Sequence, residues 1–164
     1  MMYRIFVTLL IILAMHLTAV AQSKVEIPAL SATIEEIHRW VANTMSKYGS
    51  YKTRTTSVKV TAVSAGGCRL AYTATRQDKI ELQDQLGVKS RINSIKDEVR
   101  LDLAEVESGG ITLEPHIHAE LQTVAVTTGK AANKRVTEFV VKSEAGDPLV
   151  KVLERITAPC RPKP

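Results

Sequence analysis

The chain has 164 residues, with 22 Lys and Arg against 17 Asp and Glu, for a net charge of +5. That length suits one domain with room for a real core, and a mild positive excess aids solubility without selecting a partner. Aromatic residues are 4% of the chain, which argues against the stacking platforms of RNA and single-strand binders.

The first residues, MMYRIFVTLLIILAMHLTAVAQS, place Arg4 before an apolar run from Ile5 to Met15, followed by Ala19-Val20-Ala21. This is the layout of a secretory signal with an A-x-A cleavage site. The run of about 11 residues is short of the roughly 20 that a membrane span requires. No cysteine follows it, which argues against a lipid anchor; an uncleaved N-terminal anchor is the alternative. Cleavage after Ala21 leaves residues 22–164 as a single domain in the periplasm or outside the cell. Arg4 is the only charged residue in 1–21. The mature chain therefore carries 21 basic and 17 acidic side chains, net +4. No later segment is apolar enough for a membrane span.

Export bears on the two cysteines, Cys68 and Cys160. In an oxidising compartment two cysteines usually pair. The chain has no C-x-x-C and no Cys-His cluster that would suggest catalysis or metal binding. A Cys68–Cys160 disulfide is expected.

Residues 22–30 read as a short leader, in which Pro28 discourages a helix before it. Thr33 and Glu36 form a capping box, and Ile34, Ile37, Trp40, Val41, Thr44, Met45 and Tyr48 recur at helical spacing. The pattern predicts an amphipathic helix over 33–48, stopped by Gly49, with Trp40 on its core stripe. YKTRTTSVKVTAV is rich in Thr and Val and reads as a strand, with Val58, Val60 and Ala62 on one face. After the SAGG turn, CRLAYTATR alternates, so Cys68 would point inward with Leu70 and Tyr72 as the second strand of a hairpin. Residues 76–96 fit neither period, and a long polar hairpin and a short helix ending at Gly87 are both open. Val99, Leu101 and Leu103 alternate again; Gly109-Gly110 reads as a turn into ITLEPHI. ELQTVAVTTG and KRVTEFVVKS form a further hairpin. Asp147 as N-cap, Pro148 at N1 and Leu149, Val152, Leu153, Ile156 at helical spacing predict a helix from 148 to about 157, with Lys151, Glu154 and Arg155 facing away.

Helix, five to seven antiparallel strands, helix: this order predicts an α+β fold. One sheet with both helices on one face is the simplest solution. A curled, pleckstrin-homology-like sheet plugged by the C-terminal helix is the variant. On TIEEIHRWVANTM, CRLAY and DPLVKVLERITAPC the layout resembles small, uncharacterised bacterial exported domains. In these a helix precedes a β-meander, one Cys lies in an early strand and another follows a C-terminal helix. The resemblance covers most of the mature chain and implies a fold, with no activity attached.

EPHIHAE is the most suggestive stretch for chemistry. In an extended strand Glu114, His116, His118 and Glu120 share one side, and two imidazoles could hold zinc or copper, with His38 as a third ligand. The bland alternative is the polar face of an edge strand, where Pro115 is allowed. No G-x-S-x-G, no phosphate loop and no carboxylate pair in an aromatic-lined cleft is present. No catalytic residue and no cofactor are therefore expected. Lys52, Arg54, Lys59, Arg69, Arg76, Lys79, Lys89 and Arg91 cluster in the first half, as a solvated face or as a contact for an anionic surface. The leading expectation is a non-enzymatic binding or interaction module whose partner is a protein or an anionic surface component, not nucleic acid. A metal-binding protein using His116 and His118, and a carrier of a small lipid-like ligand, are the alternatives.

Overall fold

A computed structural model describes residues 25–84, 87–130 and 133–162; residues 1–21, read from the sequence as a signal, lie outside them. The first element, α1 (Ile34–Tyr48), starts where its capping box puts it. The Thr33 hydroxyl accepts the Glu36 N–H at 3.3 Å, and the Glu36 carboxylate accepts the Thr33 N–H at 2.7 Å, so two otherwise orphan donors are satisfied. Ile37, Val41, Thr44, Met45 and Tyr48 form the buried stripe. Gly49 ends the helix with φ of −78°, so the left-handed region is not what requires glycine. A Cβ there would lie 2.6 Å from the Met45 carbonyl oxygen and 3.1 Å from Val60.

Sheet A follows, with β1 (Tyr51–Lys52), β2 (Thr56–Gly66), β3 (Arg69–Asp84) and β4 (Gly87–Asp102) in that order. A 3-10 turn over Leu103–Glu105, with the Asp102 carboxylate accepting the Ala104 N–H at 3.0 Å, leads to sheet B. Sheet B is β5 (Val106–Pro115), β6 (Leu121–Thr128) and β7 (Arg135–Lys142), again in chain order, and every pairing is antiparallel. The last helix, α2, spans Ser143–Thr157. The fold is α+β, with seven strands divided between two sheets instead of one. Helix α1 lies on β2, α2 lies on sheet B, and the two helices meet. One core joins the four layers: Val41 and Met45 from α1, Leu70 and Leu101 from sheet A, Val124 and Val141 from sheet B, Leu149 and Leu153 from α2. Tyr72 of β3 and Phe139 of β7 meet edge to face at 6.0 Å, a contact between the two sheets of the favoured aromatic geometry.

Several local expectations are corrected. Cys68 is not on a strand: Gly67 and Cys68 form the two-residue turn between β2 and β3, with φ of +54° and +60°. Positive φ at both positions is what a type I′ hairpin turn demands, because its twist matches that of the strands. Ala62 does not share the face of Val58 and Val60. The register slips between Thr61 and Ser64, Ala62 takes φ of +50° and is exposed, and Val63 and Ala65 pack inward in its place. Gly109-Gly110 is a bulge within β5, where the register jumps from Val106↔Thr128 to Ile111↔Val126, and not a hairpin turn. Helix α2 begins at Ser143, five residues before Pro148, which is buried inside it. Local chemistry favoured a start at Asp147-Pro148, but packing prevails. Gly146 sits so close to Leu113 and Gln122 that a Cβ there would require their side chains to shift.

The leader is held from both helices. The Trp40 indole N–H donates to the Glu26 carbonyl at 2.8 Å. Arg155 does not face away; its guanidinium donates to the carbonyls of Pro28, Ala29 and Leu30 at 3.2, 2.9 and 2.8 Å. Both side chains grip backbone oxygens, so the leader is fixed by its chain path and not by its side chains.

Candidate functional site

The disulfide stands at one corner of the fold. Cys68 and Cys160 are joined, with their Cα atoms 5.5 Å apart. The Leu103 N–H donates to the Cys68 carbonyl at 2.8 Å. Arg161, next to Cys160, donates to the carbonyls of Val106 and Glu107 at 3.0 and 3.1 Å. The hairpin turn of sheet A, the crossing to sheet B and the end of α2 are thus tied at one point.

His116 and His118 are together but not on a strand. They lie in the loop after β5, half-buried, with ring centroids 5.5 Å apart. The His118 N–H donates to His116 Nδ1 at 3.2 Å. A neutral imidazole has one acceptor nitrogen, and in His116 that lone pair is taken, so in this arrangement the ring has none to offer a metal. No group of three or more His, Cys, Asp or Glu is gathered as a metal site among the described residues. His38 lies elsewhere, with its Nδ1 3.6 Å from the Cβ position of Gly66. The loop is pinned to the start of α2, where the Ser143 hydroxyl donates to the Ala119 carbonyl and the Ser143 N–H to that of Glu120.

The space between helices and sheets, where a lipid-like ligand would sit, is filled: Val41, Val124, Val141, Leu149, Val152 and Leu153 are fully buried there. An opening lies outside that core. It is a cleft of about 800 Å³ between the β1–β2 side of sheet A and the β6–β7 end of sheet B, lined by Tyr51, Lys52, Lys59, Glu120, Leu121 and Lys142 among others.

The feature with the clearest shape is the β3–β4 ribbon. Within 76–96, left open by the sequence, residues 76–84 and 87–96 pair as two antiparallel strands, in an unbroken register that runs from Arg69↔Asp102 to Asp84↔Gly87. β2 accompanies β3 only as far as Thr56↔Asp78, with one further bond from the Lys79 N–H to the Thr55 carbonyl. Beyond that point no third strand flanks the pair among the described residues, although the Arg54 charge still acts on Glu81. At about 3.4 Å per residue, the five residues from Ile80 to Asp84 carry the arm roughly 17 Å past the sheet. Directly opposed residues of an antiparallel pair point to one side. The face that carries Leu70, Tyr72, Val99 and Leu101 in the core therefore continues outward as Arg76↔Ile95, Asp78↔Asn93, Ile80↔Arg91 and Leu82↔Lys89. Ile80, Leu82 and Ile95 on that face are 43%, 53% and 45% exposed, and Ile92 on the other face is 68% exposed.

A lone two-stranded ribbon is marginal in water, and short ion pairs along β3 brace this one. Arg76 meets Asp78 at 2.8 Å, and Lys79 meets Glu81 at 2.9 Å. The Arg76 hydrogen bond, and then that of the Thr56 hydroxyl, hold the Asp78 carboxyl below its usual range; Lys79 does the same for Glu81. The basic residues of the first half do not form one patch. Lys79, Arg69 and Lys96 point to the outer face of the ribbon, while Arg76, Lys89 and Arg91 point to the face that continues the core.

No protein-family model, curated protein or solved structure matches this chain. Function is therefore read from the geometry alone. Among the described residues no helix is long and apolar enough to cross a membrane.

At the root of the arm, burial pushes the Tyr72 hydroxyl up to about 12, and the nearby Asp97 carboxylate adds to the effect. The neutral phenol is favoured in the folded state, while in the unfolded chain tyrosine titrates near 10. This contribution to stability is complete below about pH 10 and is lost as the pH rises toward 12. Between pH 9 and pH 11 the wild type should lose about 1–1.5 kcal/mol more than Tyr72→Phe, read by urea unfolding of both at each pH. Equal losses would show that the phenol is not desolvated.

Proposed function

We propose that the chain is an exported, non-enzymatic interaction module and that the β3–β4 arm is its contact element. The supporting observation is the exposure of Ile80 and Leu82 on the stretch of ribbon that projects beyond the sheet, with Ile92 and Ile95 exposed at its root. Exposed aliphatic side chains scattered singly are ordinary, but a concentration on one projecting element marks a contact surface. The arm adds nothing to the core, and its strand edges offer backbone hydrogen bonds to another chain. The signal-like N-terminus and the disulfide between Cys68 and Cys160 support export, since such bonds persist in oxidising compartments.

The test is site-specific photo-crosslinking in the cells that export the protein. A photoreactive residue at Leu82 or Ile92 should give discrete protein adducts, and one at Thr112, exposed on β5, should not. Absence of adducts from the arm, or the same adducts from Thr112, would overturn the reading.

A further inference from the structure

The outer edge of the arm specifies a partner. β4 is the last strand of sheet A, and its far edge has no strand beside it among the described residues. The Lys79 N–H turns toward β2, so the odd-numbered residues of β3 bond to β2 and the even-numbered ones to β4. In the register observed, the even-numbered residues of β4 then direct their N–H and C=O groups to the free edge. Ser90, Ile92, Ser94, Lys96 and Glu98 present such a row, and all of them are exposed. The strand contains no proline and its pairing with β3 has no bulge, so neither of these usual blocks to edge pairing is present.

The charge pattern on this edge is complementary to itself when reversed. Lys89 and Arg91 stand in the first half, and Asp97, Glu98 and Asp102 in the second, with Lys96 and Arg100 between them. Arg91 and Asp97 are exposed, on the same face of the ribbon, and neither has an ion-pair partner among the described residues.

We propose that β4 pairs antiparallel with β4 of a second copy about a two-fold axis at Ser94, joining two four-stranded sheets into one of eight. This deepens the reading of the arm as the contact element and rests on it. A two-fold contact is isologous, so each pairing occurs twice. With the axis at Ser94, Arg91 stands directly opposite Asp97 of the second copy, Asn93 opposite Ile95, and Ser90 opposite Glu98. Two slipped registers are penalised: an axis at Lys96 sets lysine against lysine, and one at Asp97 sets aspartate against aspartate. Directly opposed like charges destabilise a strand pair, and opposite charges stabilise it.

Sedimentation equilibrium of the exported protein at micromolar concentration tests this. The wild type should be a dimer. Arg91→Asp and Asp97→Arg, each alone, should raise the dissociation constant at least about tenfold, since each turns two attractive pairs into two repulsive ones. Mixing these two variants should restore a dimer that neither forms alone. In the register proposed, the first variant carries aspartate at both positions and the second carries arginine at both, so each crossing between them joins opposite charges. Both sites are exposed, so circular dichroism should show folding unchanged. A monomeric wild type, or no heterodimer on mixing, overturns the pairing. If that happens while Leu82 and Ile92 still crosslink to a different protein, the arm remains the contact element and only the second copy is excluded.

Discussion

Reduction of the Cys68–Cys160 bond should lower the melting temperature by roughly 10–15 °C. The bond closes a loop with a sequence separation of 92. In the chain-entropy account, releasing a loop of that size returns about 4–5 kcal/mol of freedom to the unfolded chain, and a domain near 150 residues shifts by about 2–4 °C per kcal/mol. The native side of the balance sharpens the expectation. Cys68 occupies a tight turn whose carbonyl accepts from Leu103, and Arg161 beside Cys160 holds the β5 bulge. The loss should therefore begin at this corner, with faster amide exchange at Leu103 and in the last turn of α2 before global unfolding. Melting with and without reductant, alongside a Cys68→Ala/Cys160→Ala variant, measures it. A shift under about 3 °C would mean that the other bonds at the corner hold the reduced native state and that the unfolded chain is already compact. Thiol counting on the denatured, unreduced protein should find none.

What the sequence showed follows from where each residue's environment is decided. α1 was legible to the residue at its start, because its capping box is a local device and its stripe faces a core. The disulfide was legible from export and a count of two. The position of Cys68 was not, because continuing the alternation of Leu70 and Tyr72 by two residues ignores the turn that Gly67 begins. The start of α2 was misplaced for a different reason. Asp147 and Pro148 carry strong local signals, but the close fit of Gly146 against Leu113 and Gln122 is tertiary and silent in one sequence. The arm was the least legible element, for a reason that bears on its role. Periodicity arises from having a core on one side, and the ribbon outside the core has none: Ile80, Leu82 and Ile95 are exposed on one face, Ile92 on the other. EPHIHAE misled in the opposite way. Its spacing suited a strand, but β5 ends at Pro115, and the two histidines bond within a loop.

The separation of arm from core has a measurable consequence in a pair of matched truncations. Leu153→Ala should cost about 2–5 kcal/mol in urea unfolding, whereas Leu82→Ala should change stability by less than about 0.5 kcal/mol. Leu153 is 0% exposed, in the part of α2 that packs into the common core of helices and sheets. Its removal loses the transfer energy of the deleted atoms and leaves a cavity that neighbours on two elements cannot both fill. Leu82 is 53% exposed on a ribbon with no third strand beside it among the described residues, so truncation gives up little buried surface and opens no void. The same chemical change thus separates two kinds of leucine: one kept by folding, the other free of it. If Leu82→Ala instead cost about 2 kcal/mol or more, the arm would have to fold back onto apolar surface in solution, and its aliphatic side chains would be core rather than contact. If it is neutral for stability and yet abolishes the adducts formed from Ile92, then the aliphatic side chains of this arm serve association alone.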